Sequence, residues 1–293
     1  MKLASKENYY LFFILFILAL EAILFSVGNK NLDVEFLNEE NKIIEIKNIL
    51  SNIPIQAKAV SVYDQTLSRK IYGFNDETKL PIASLAKIMT VVIALNQHNL
   101  NDIIYISKEA LRQETDYGFF VNEKFKIGDL AKWTLIGSAN DGAYALAENT
   151  PFFLQKINQK AKKIGMKNAI FLNPTGLDIS QGISGAYASA EDVNIMAMYA
   201  LKAQPEIFSA TVLPEINIKS ESSFSHQIGN TNIILDKIPN ILFSKTGLSS
   251  LAGGNLTIIY KAKNEHVLAI TILGSTINGR FSDMQKIVNV LEN

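Results

Sequence analysis

The order of secondary-structure signals along the chain predicts an α+β fold. Strand-like segments occur after the N-terminal region and again near the C-terminus, whereas helical periodicity dominates the middle of the chain. Strands near both ends imply one sheet built from both ends of the domain, and the helices between them would form a separate lobe. A cleft is then expected where the sheet and the helical lobe meet.

Each strand is predicted from apolar or β-branched residues bounded by turn residues. Ala57–Tyr63 and Arg69–Phe74 are joined by Asp64-Gln65-Thr66, which predicts a hairpin. Gly253-Gly254 lies between two later strands and predicts a turn or bulge. The later strands are Ile241–Thr246, Asn255–Tyr260 and Val267–Leu273.

The helices are predicted from apolar periodicity and from residues suited to capping. Ser84 precedes the apolar segment Leu85–Asn96 and is expected to be its N-cap. Ser189 is expected to open a later helix, because Glu191 and Asp192 follow in the first turn. The other predicted helices are Asp129–Ile136, Asp141–Glu148, Ala190–Leu201 and Phe281–Leu291.

The N-terminal region predicts export and tethering. Residues 1–8 contain two lysines and precede an apolar segment, residues 9–27, that is just long enough to span a bilayer. Lysines on one side place residues 1–8 in the cytoplasm and the rest of the chain outside the cell membrane. We expect residues 9–27 to be a transmembrane anchor or uncleaved signal; cleavage would release a secreted protein. Residues 28–48 predict a polar stem, and residues 49–293 the folded domain.

The composition excludes several functional classes. The 293 residues include 28 basic and 28 acidic side chains, so the net charge of zero gives no basic stripe for nucleic acid. Cysteine is absent, which excludes disulfides and thiolate catalysis. His98, His226 and His266 are scattered along the sequence, so we expect no metal site and no other cofactor.

Three short motifs contain the residues suited to catalysis: Ser84-Leu85-Ala86-Lys87, Ser138-Ala139-Asn140 and Lys245-Thr246-Gly247. On a helix, residues three apart share a face, so the Lys87 amine can approach the Ser84 hydroxyl and serve as its base. The first motif alone is expected about once by chance in a chain of this length. The combination is informative, because the motifs fall at a predicted helix start, an interhelical turn and a strand.

This set of motifs, with S-D-N in the middle, is the signature of class A β-lactamases and penicillin-binding proteins. From about Lys58 onward, the sequence resembles the low-molecular-mass D-alanyl-D-alanine carboxypeptidases, serine peptidases that trim peptidoglycan stem peptides. Beyond the three motifs, the matching segments are Pro81–Thr90, Asp141, Phe171–Leu177, Ala252-Gly253, Gly274-Ser275 and Arg280-Phe281.

The resemblance implies the β-lactamase/DD-peptidase fold, in which helices flank an antiparallel five-stranded sheet and the catalytic cleft adjoins a mostly helical lobe. The expected substrate is a stem peptide ending in D-Ala-D-Ala, and the expected inhibitors are β-lactams. The catalytic residues implied are Ser84, Lys87, Ser138, Asn140 and Lys245, and the substrate-binding residues are Thr246, Gly247, Leu248 and Arg280.

Each of these residues has an implied role. Ser84 would attack the carbonyl between the two D-alanines while Lys87 takes its proton. The backbone N–H groups of Ser84 and Leu248 would hold the oxyanion. Ser138 and Lys245 would relay a proton to the leaving amine. Asn140 would donate to the substrate's amide oxygen, and Thr246 and Arg280 would hold the terminal carboxylate. A solvated surface position is the alternative for Arg280.

Departures from the family pattern leave questions about specificity. Leu248-Ser249 follows the third motif where many members have Tyr-Thr or His-Thr, which alters one wall of the site. The chain stops soon after the last predicted helix, so we expect no further β-rich domain and no C-terminal amphipathic anchor.

Three alternative functions share these motifs. A class A β-lactamase needs a glutamate to activate water, and Thr150–Phe171, where it is expected, contains no acidic residue. A catalytically silent penicillin-binding or muropeptide-binding module is a second alternative, although every polar motif residue is intact. Endopeptidase cleavage of cross-links would use the same residues, and the sequence does not separate it from carboxypeptidase action.

Overall fold

The computed structural model describes residues 39–114 and 117–293. Residues 50–293 form one compact unit, separate from the residues before them. The predicted cytoplasmic residues 1–8 and apolar segment 9–27 lie outside the described residues. In the part of the chain that is described, no helix combines the length and the apolar character needed to cross a bilayer.

The strands, numbered in chain order, range from two to nine residues in length. They are β1 (Ala59–Asp64), β2 (Arg69–Phe74), β3 (Leu80–Pro81), β4 (Ile103–Tyr105), β5 (Lys124–Lys126), β6 (Ile170–Phe171), β7 (Ala186–Ala188), β8 (Glu215–Lys219), β9 (Ser225–Gly229), β10 (Ile241–Ser249), β11 (Gly253–Lys261) and β12 (Val267–Ser275).

The helices range from four residues to more than a dozen. They are α1 (which includes residues 39–52), α2 (Ala86–Leu95), α3 (Ile127–Ile136), α4 (Asn140–Glu148), α5 (Phe153–Lys163), α6 (Ala190–Ala203), α7 (Pro205–Phe208) and α8 (Gly279–Leu291). The 3-10 turns are Ala83–Leu85, Ala110–Arg112, Ser209–Val212 and Leu235–Lys237.

The main sheet has five strands in the order β10-β11-β12-β1-β2, and all pairs are antiparallel. The five-stranded sheet and the β1–β2 hairpin are therefore confirmed. The prediction for Gly253-Gly254 is also confirmed, because the β11–β12 register shifts between Gly254 and Leu256. Gly253 has φ +64°, and a Cβ there would lie 2.7 Å from the Ser275 carbonyl oxygen.

Both faces of the central strands are buried, so β12 is apolar almost throughout rather than alternating. Ala269 and Leu273 of β12 belong to the core shared with the helical lobe, whereas Ile270 and Ile272 lie outside it. Because successive side chains point to opposite faces, the two sets cover different sides of the sheet. Helix α6 packs against β1, β11 and β12, and α8 packs against β11 and β12.

One helix start matches the sequence prediction and one does not. Ser189 forms a capping box with Asp192 at the start of α6. Ser84 is not an N-cap, because it lies inside the 3-10 turn Ala83–Leu85, and α2 begins at Ala86 without a side-chain cap. The Ser84 hydroxyl instead contacts Lys87. The prediction that Ser84 is an N-cap was therefore wrong, and its hydroxyl is not used to cap α2.

Several elements were not predicted, and they share weak apolar signals. Helix α5 buries only Phe153, Ile157 and Ala161, and its remaining face is polar. Hairpin β8–β9 buries one residue of ten, Ile218. A helix or hairpin with so few apolar residues has a hydrophobic pattern that differs little from that of a loop, so the sequence alone does not reveal it.

The Asp283 carboxylate ties the C-terminal helix to the sheet. It is buried, and its Oδ2 accepts hydrogen bonds from the Gln56 and Ala57 N–H groups and from Ser275 Oγ. Asp283→Ala should lower the free energy of unfolding by about 3 kcal/mol, because these buried donors lose a charged acceptor. Urea denaturation measures the change. Exposed Asp236→Ala is the control and should change it by less than about 0.5 kcal/mol; equal losses in both variants would contradict the assignment.

Candidate active site

The first motif forms a direct serine–lysine contact. Lys87 Nζ donates a hydrogen bond to Ser84 Oγ over 2.7 Å and another to the Thr175 carbonyl oxygen over 3.0 Å. Lys87 is fully buried on α2, and Ser84 lies one turn earlier in the 3-10 turn Ala83–Leu85, called here the Ser84 turn. Ala83 has φ +47°, a left-handed conformation that costs a non-glycine residue about 1 kcal/mol. The backbone is strained immediately before the serine.

The Asn173–Gly176 turn lies against Lys87 and against Ala83, the residue that precedes Ser84. Asn173 Oδ1 accepts from the N–H groups of Thr175 and Gly176, which fixes the turn and presents the Thr175 carbonyl to Lys87. Gly176 has φ +76°, and a Cβ there would lie 1.9 Å from the Ala83 carbonyl oxygen. From the sequence, this segment is assigned no role in the site, and the contact between Thr175 and Lys87 was missed. Its residue types indicated only the turn.

The second and third motifs also meet. Lys245 Nζ donates to Ser138 Oγ over 2.9 Å and to the Thr246 carbonyl oxygen over 2.9 Å. Ser138 has φ +61° in the link between α3 and α4, a second strained non-glycine position in the site. Asn140 opens α4, and its Nδ2 donates to the Glu114 carbonyl oxygen over 2.8 Å.

Strand β10 brings the third motif beside the Ser84 turn. A Cβ on Gly247 would lie 2.7 Å from the Ile82 carbonyl oxygen, so only glycine permits this approach. Asn255 on the neighbouring strand is buried and donates to the Pro81 carbonyl oxygen over 3.1 Å. β10 is an edge strand of the five-stranded sheet, and Leu248 on it is 43% exposed.

Thr246 lies on β10, and Arg280 at the start of α8 contacts the same strand. Thr246 Oγ1 is 2.6 Å from Thr231 Oγ1, a residue outside the three motifs. Arg280 Nη1 donates to the Gly247 carbonyl oxygen over 2.7 Å. Arg280 is only 7% exposed, so the alternative of a solvated surface residue is wrong.

The site concentrates buried positive groups. Burial lowers the pKa of Lys87 to about 7, although the nearby Asp141 carboxylate partly opposes the shift. Burial also lowers the pKa of Lys245 well below its usual value, and the charges of Lys87 and Arg280 lower it further. These electrostatic couplings indicate that the three cationic side chains lie near one another, an arrangement suited to an anionic ligand.

The histidines take no part in this arrangement. His226 Nε2 lies 2.6 Å from Glu123 Oε1, and His266 Nδ1 lies 2.7 Å from Asp64 Oδ2. His98 contacts the Asn149 carbonyl oxygen. Within residues 39–114 and 117–293, no group of three histidine, aspartate or glutamate side chains is placed to hold a metal ion.

The sequence profile of the D-alanyl-D-alanine carboxypeptidase family matches residues 46–276, which include all three motifs. The chain belongs to this family. Among curated relatives, D-alanyl-D-alanine carboxypeptidase DacF of Bacillus subtilis is 28% identical over 249 residues. The match covers 82% of this chain and 63% of DacF. DacA of Haemophilus influenzae is also 28% identical, with 61% of its length covered, so this family member spans about three fifths of each carboxypeptidase.

A D-alanyl-D-alanine endopeptidase of Haemophilus influenzae is 31% identical over 236 residues, covering 76% of this chain and 78% of that protein. Solved structures confirm the predicted β-lactamase/DD-peptidase fold of this family member. Ampicillin-bound penicillin-binding protein D2 of Listeria monocytogenes has a TM-score of 0.68 and 25% identity, covering 82% of this chain and 98% of that one. The Streptomyces K15 DD-transpeptidase has a TM-score of 0.73 and 24% identity, covering 81% and 97%.

Two glycines in one loop separate backbone strain from close contact. Gly176→Ala should lower the free energy of unfolding by about 3 kcal/mol, because its Cβ would overlap the Ser84 turn. Gly182 has φ +86° but open space around it, so Gly182→Ala should lower it by only about 1 kcal/mol. Urea denaturation compares the two variants. Equal effects of both substitutions would show that the contact with Ala83 is unimportant.

Proposed function

We propose that this protein is a serine-type D-Ala-D-Ala carboxypeptidase that removes the terminal D-alanine from peptidoglycan stem peptides. The observation that carries the proposal is the 2.7 Å contact between Lys87 Nζ and Ser84 Oγ. Because the pKa of Lys87 is lowered to about 7, much of the lysine is a neutral amine at physiological pH. A neutral amine can take the serine proton, which a protonated one cannot.

The reaction then proceeds through an acyl-enzyme. Ser84 Oγ attacks the carbonyl carbon between the two D-alanines while Lys87 accepts its proton, and the N–H groups of Ser84 and Leu248 stabilise the oxyanion. The proton that Lys87 accepted passes through the Ser138–Lys245 pair to the leaving amine, so D-alanine departs as the amide bond breaks. Water then attacks the ester carbonyl while Lys87 accepts one of its protons. That proton passes to Ser84 Oγ as the ester bond breaks, which restores Ser84 and releases the shortened peptide.

Substrate recognition uses the open edge of β10. An extended peptide can add to this edge as a further strand, and the exposed Leu248 lies where the added strand would pass. Asn140 donates to the substrate's amide oxygen. The Thr246 hydroxyl and the positive charge of Arg280 hold the terminal carboxylate, while Gly247 permits the close approach of β10 to Ser84.

Relatives support the substrate class and the inhibitors. DacF and DacA are named D-alanyl-D-alanine carboxypeptidases, and the Listeria penicillin-binding protein was solved with ampicillin bound. We therefore propose β-lactams as inhibitors that acylate Ser84. The place in the sequence where a class A β-lactamase would have its glutamate is occupied largely by α5, which contains four lysines and no acidic residue.

Substrate chemistry also supports the location inferred from the sequence. Peptidoglycan lies outside the bacterial cell membrane, so the proposed substrate would meet an exported domain. Residues 9–27 are proposed to tether this domain to the outer side of the membrane, as a single-pass anchor.

A second candidate is endopeptidase cleavage of D-alanyl cross-links. It is favoured by the 31% identity to the Haemophilus influenzae endopeptidase, which exceeds the identity to DacF. The same nucleophile and base would act, and only the group beyond the scissile bond would differ.

Removing the nucleophile should abolish both activities. Full-length protein in detergent, incubated with pentapeptide muropeptides and with cross-linked dimers, is compared with Ser84→Ala. Release of D-alanine from the pentapeptide should fall by at least about 1000-fold in the variant, since no acyl-enzyme can form. Chromatography of the products separates tetrapeptide formation from cross-link cleavage.

Each outcome of this comparison has a definite meaning. Cross-link cleavage without D-alanine release would establish the endopeptidase. Absence of both products, together with a penicillin adduct on Ser84 by mass spectrometry, would favour a silent binding module. Rapid catalytic hydrolysis of a chromogenic β-lactam would indicate the β-lactamase.

Acylation should depend on pH through Lys87. Deprotonation of the lysine creates the base, so the second-order rate constant for acylation by benzylpenicillin should rise about tenfold per pH unit below pH 7. Above pH 7 it should level off. Stopped-flow measurements between pH 5 and 9 test this, and Lys87→Met should eliminate the rising limb. A midpoint above pH 9 would exclude a neutral Lys87 as the base at physiological pH.

A further inference from the structure

We infer that Thr231 is a positioning residue that orients the Thr246 hydroxyl toward the terminal carboxylate of the substrate. The inference rests on the proposed carboxypeptidase function, in which Thr246 binds that carboxylate. Its observation is the 2.6 Å separation of Thr231 Oγ1 and Thr246 Oγ1. Thr231 belongs to none of the three motifs, and nothing in its sequence neighbourhood indicated a role in the site.

The backbone around Thr231 is held by its two neighbours. Asn230 Nδ2 donates to the carbonyl oxygens of Thr211 and Leu213, both over 2.8 Å. Asn232 is buried, and its Nδ2 donates to Ser244 Oγ on β10 over 2.7 Å. An Asn-Thr-Asn segment tied on both sides presents the middle hydroxyl in one place, which lowers the entropy lost when that hydroxyl forms its hydrogen bond.

The same segment also joins the second and third motifs. The Thr231 N–H donates to the Ile136 carbonyl oxygen over 3.2 Å, two residues before Ser138. A Cβ on Gly137 would lie 1.9 Å from Ile228 Cδ1, so the chain approaching Thr231 also packs closely beside Ser138. Thr231 therefore lies between the α3–α4 link, which contains Ser138, and strand β10, where its hydroxyl contacts that of Thr246.

The proton count of a hydroxyl pair gives Thr231 its role. Each threonine hydroxyl has one proton to donate and can accept from others. A carboxylate accepts only, so Thr246 must donate its proton to the carboxylate and can then accept the proton of Thr231. The resulting chain runs from Thr231 to Thr246 to the carboxylate, and each bond polarises the next. With Thr231 accepting instead, the Thr246 proton would point away from the substrate.

This role predicts selectivity for a carboxylate rather than a general loss of activity. Thr231→Val replaces the hydroxyl with a methyl group of similar shape, and Thr231→Ser retains the hydroxyl. Full-length protein in detergent is assayed with a peptide ending in D-Ala-D-Ala and with the same peptide ending in D-Ala-D-alaninamide, which carries no terminal carboxylate. Thr231→Val should lower kcat/KM for the peptide acid by about tenfold. Its kcat/KM for the peptide amide should stay within about twofold of the wild-type value. Thr231→Ser should restore most of the activity toward the acid.

A double-substitution cycle distinguishes action through Thr246 from direct contact. If Thr231 acts through Thr246, Thr231→Val combined with Thr246→Val should be no slower toward the acid than Thr246→Val alone. Additive losses would show that Thr231 touches the carboxylate itself and would overturn the positioning role. Thr66→Val, in the exposed β1–β2 turn, is the matched control and should leave kcat/KM for both peptides unchanged.

A β-lactam assay separates failure of this inference from failure of the proposed function. Absence of D-alanine release by the wild-type protein would refute carboxypeptidase action, but acylation of Ser84 would still test Thr231. Thr231→Val should slow acylation by benzylpenicillin about tenfold and leave the slower acylation by its methyl ester unchanged. Equal slowing with acid and ester, or equal loss with the acid and amide peptides, would show that Thr231 is only a structural brace.

Discussion

The close approach of strand β10 to the Ser84 turn is the constraint on which the rest of the site depends. Gly247 permits it, because any side chain there would meet the Ile82 carbonyl oxygen. On the other side, Gly176 allows the Asn173–Gly176 turn to contact Ala83. The backbone at the Ser84 turn is therefore enclosed between two segments that tolerate only glycine at the contact. This enclosure excludes water from the lysine behind it.

Exclusion of water explains the electrostatics of the site. A buried ammonium loses its hydration, so the neutral form of Lys87 becomes accessible near pH 7. Lys245 is buried too, and the charges of Lys87 and Arg280 disfavour its protonated form. Burying these ionisable side chains costs folding stability, because the charged form of each loses its hydration. The site thus gives up folding stability for amines that can be neutral near physiological pH, a trade that functional sites commonly make.

Segments outside the three motifs hold the motifs in place. The Asn173–Gly176 turn presents the Thr175 carbonyl to Lys87, and the Asn230–Asn232 segment presents Thr231 to Thr246. Both use asparagine side chains that bind backbone groups, which gives short loops the rigidity of regular structure. Leu248, in contrast, is exposed on the free edge of β10, away from the contacts that hold the two lysines. The two asparagine-rich segments therefore hold the catalytic lysine and the threonine in place, while the edge of β10 at Leu248 is open to solvent.

The sequence by itself determined the α+β class, the five strands of the main sheet and the three motifs, because periodicity and motif spacing are local properties. It also determined the capping of α6 by Ser189, where both partners lie within one turn. Only the tertiary structure decided that Arg280 is buried at Gly247, that Thr175 contacts Lys87 and that Thr231 contacts Thr246. These contacts join residues far apart in the chain, and no local pattern encodes them. Ser84 shows the difference at a single residue: its contact with Lys87 follows from a spacing of three residues, whereas its position inside a 3-10 turn rather than at an N-cap does not.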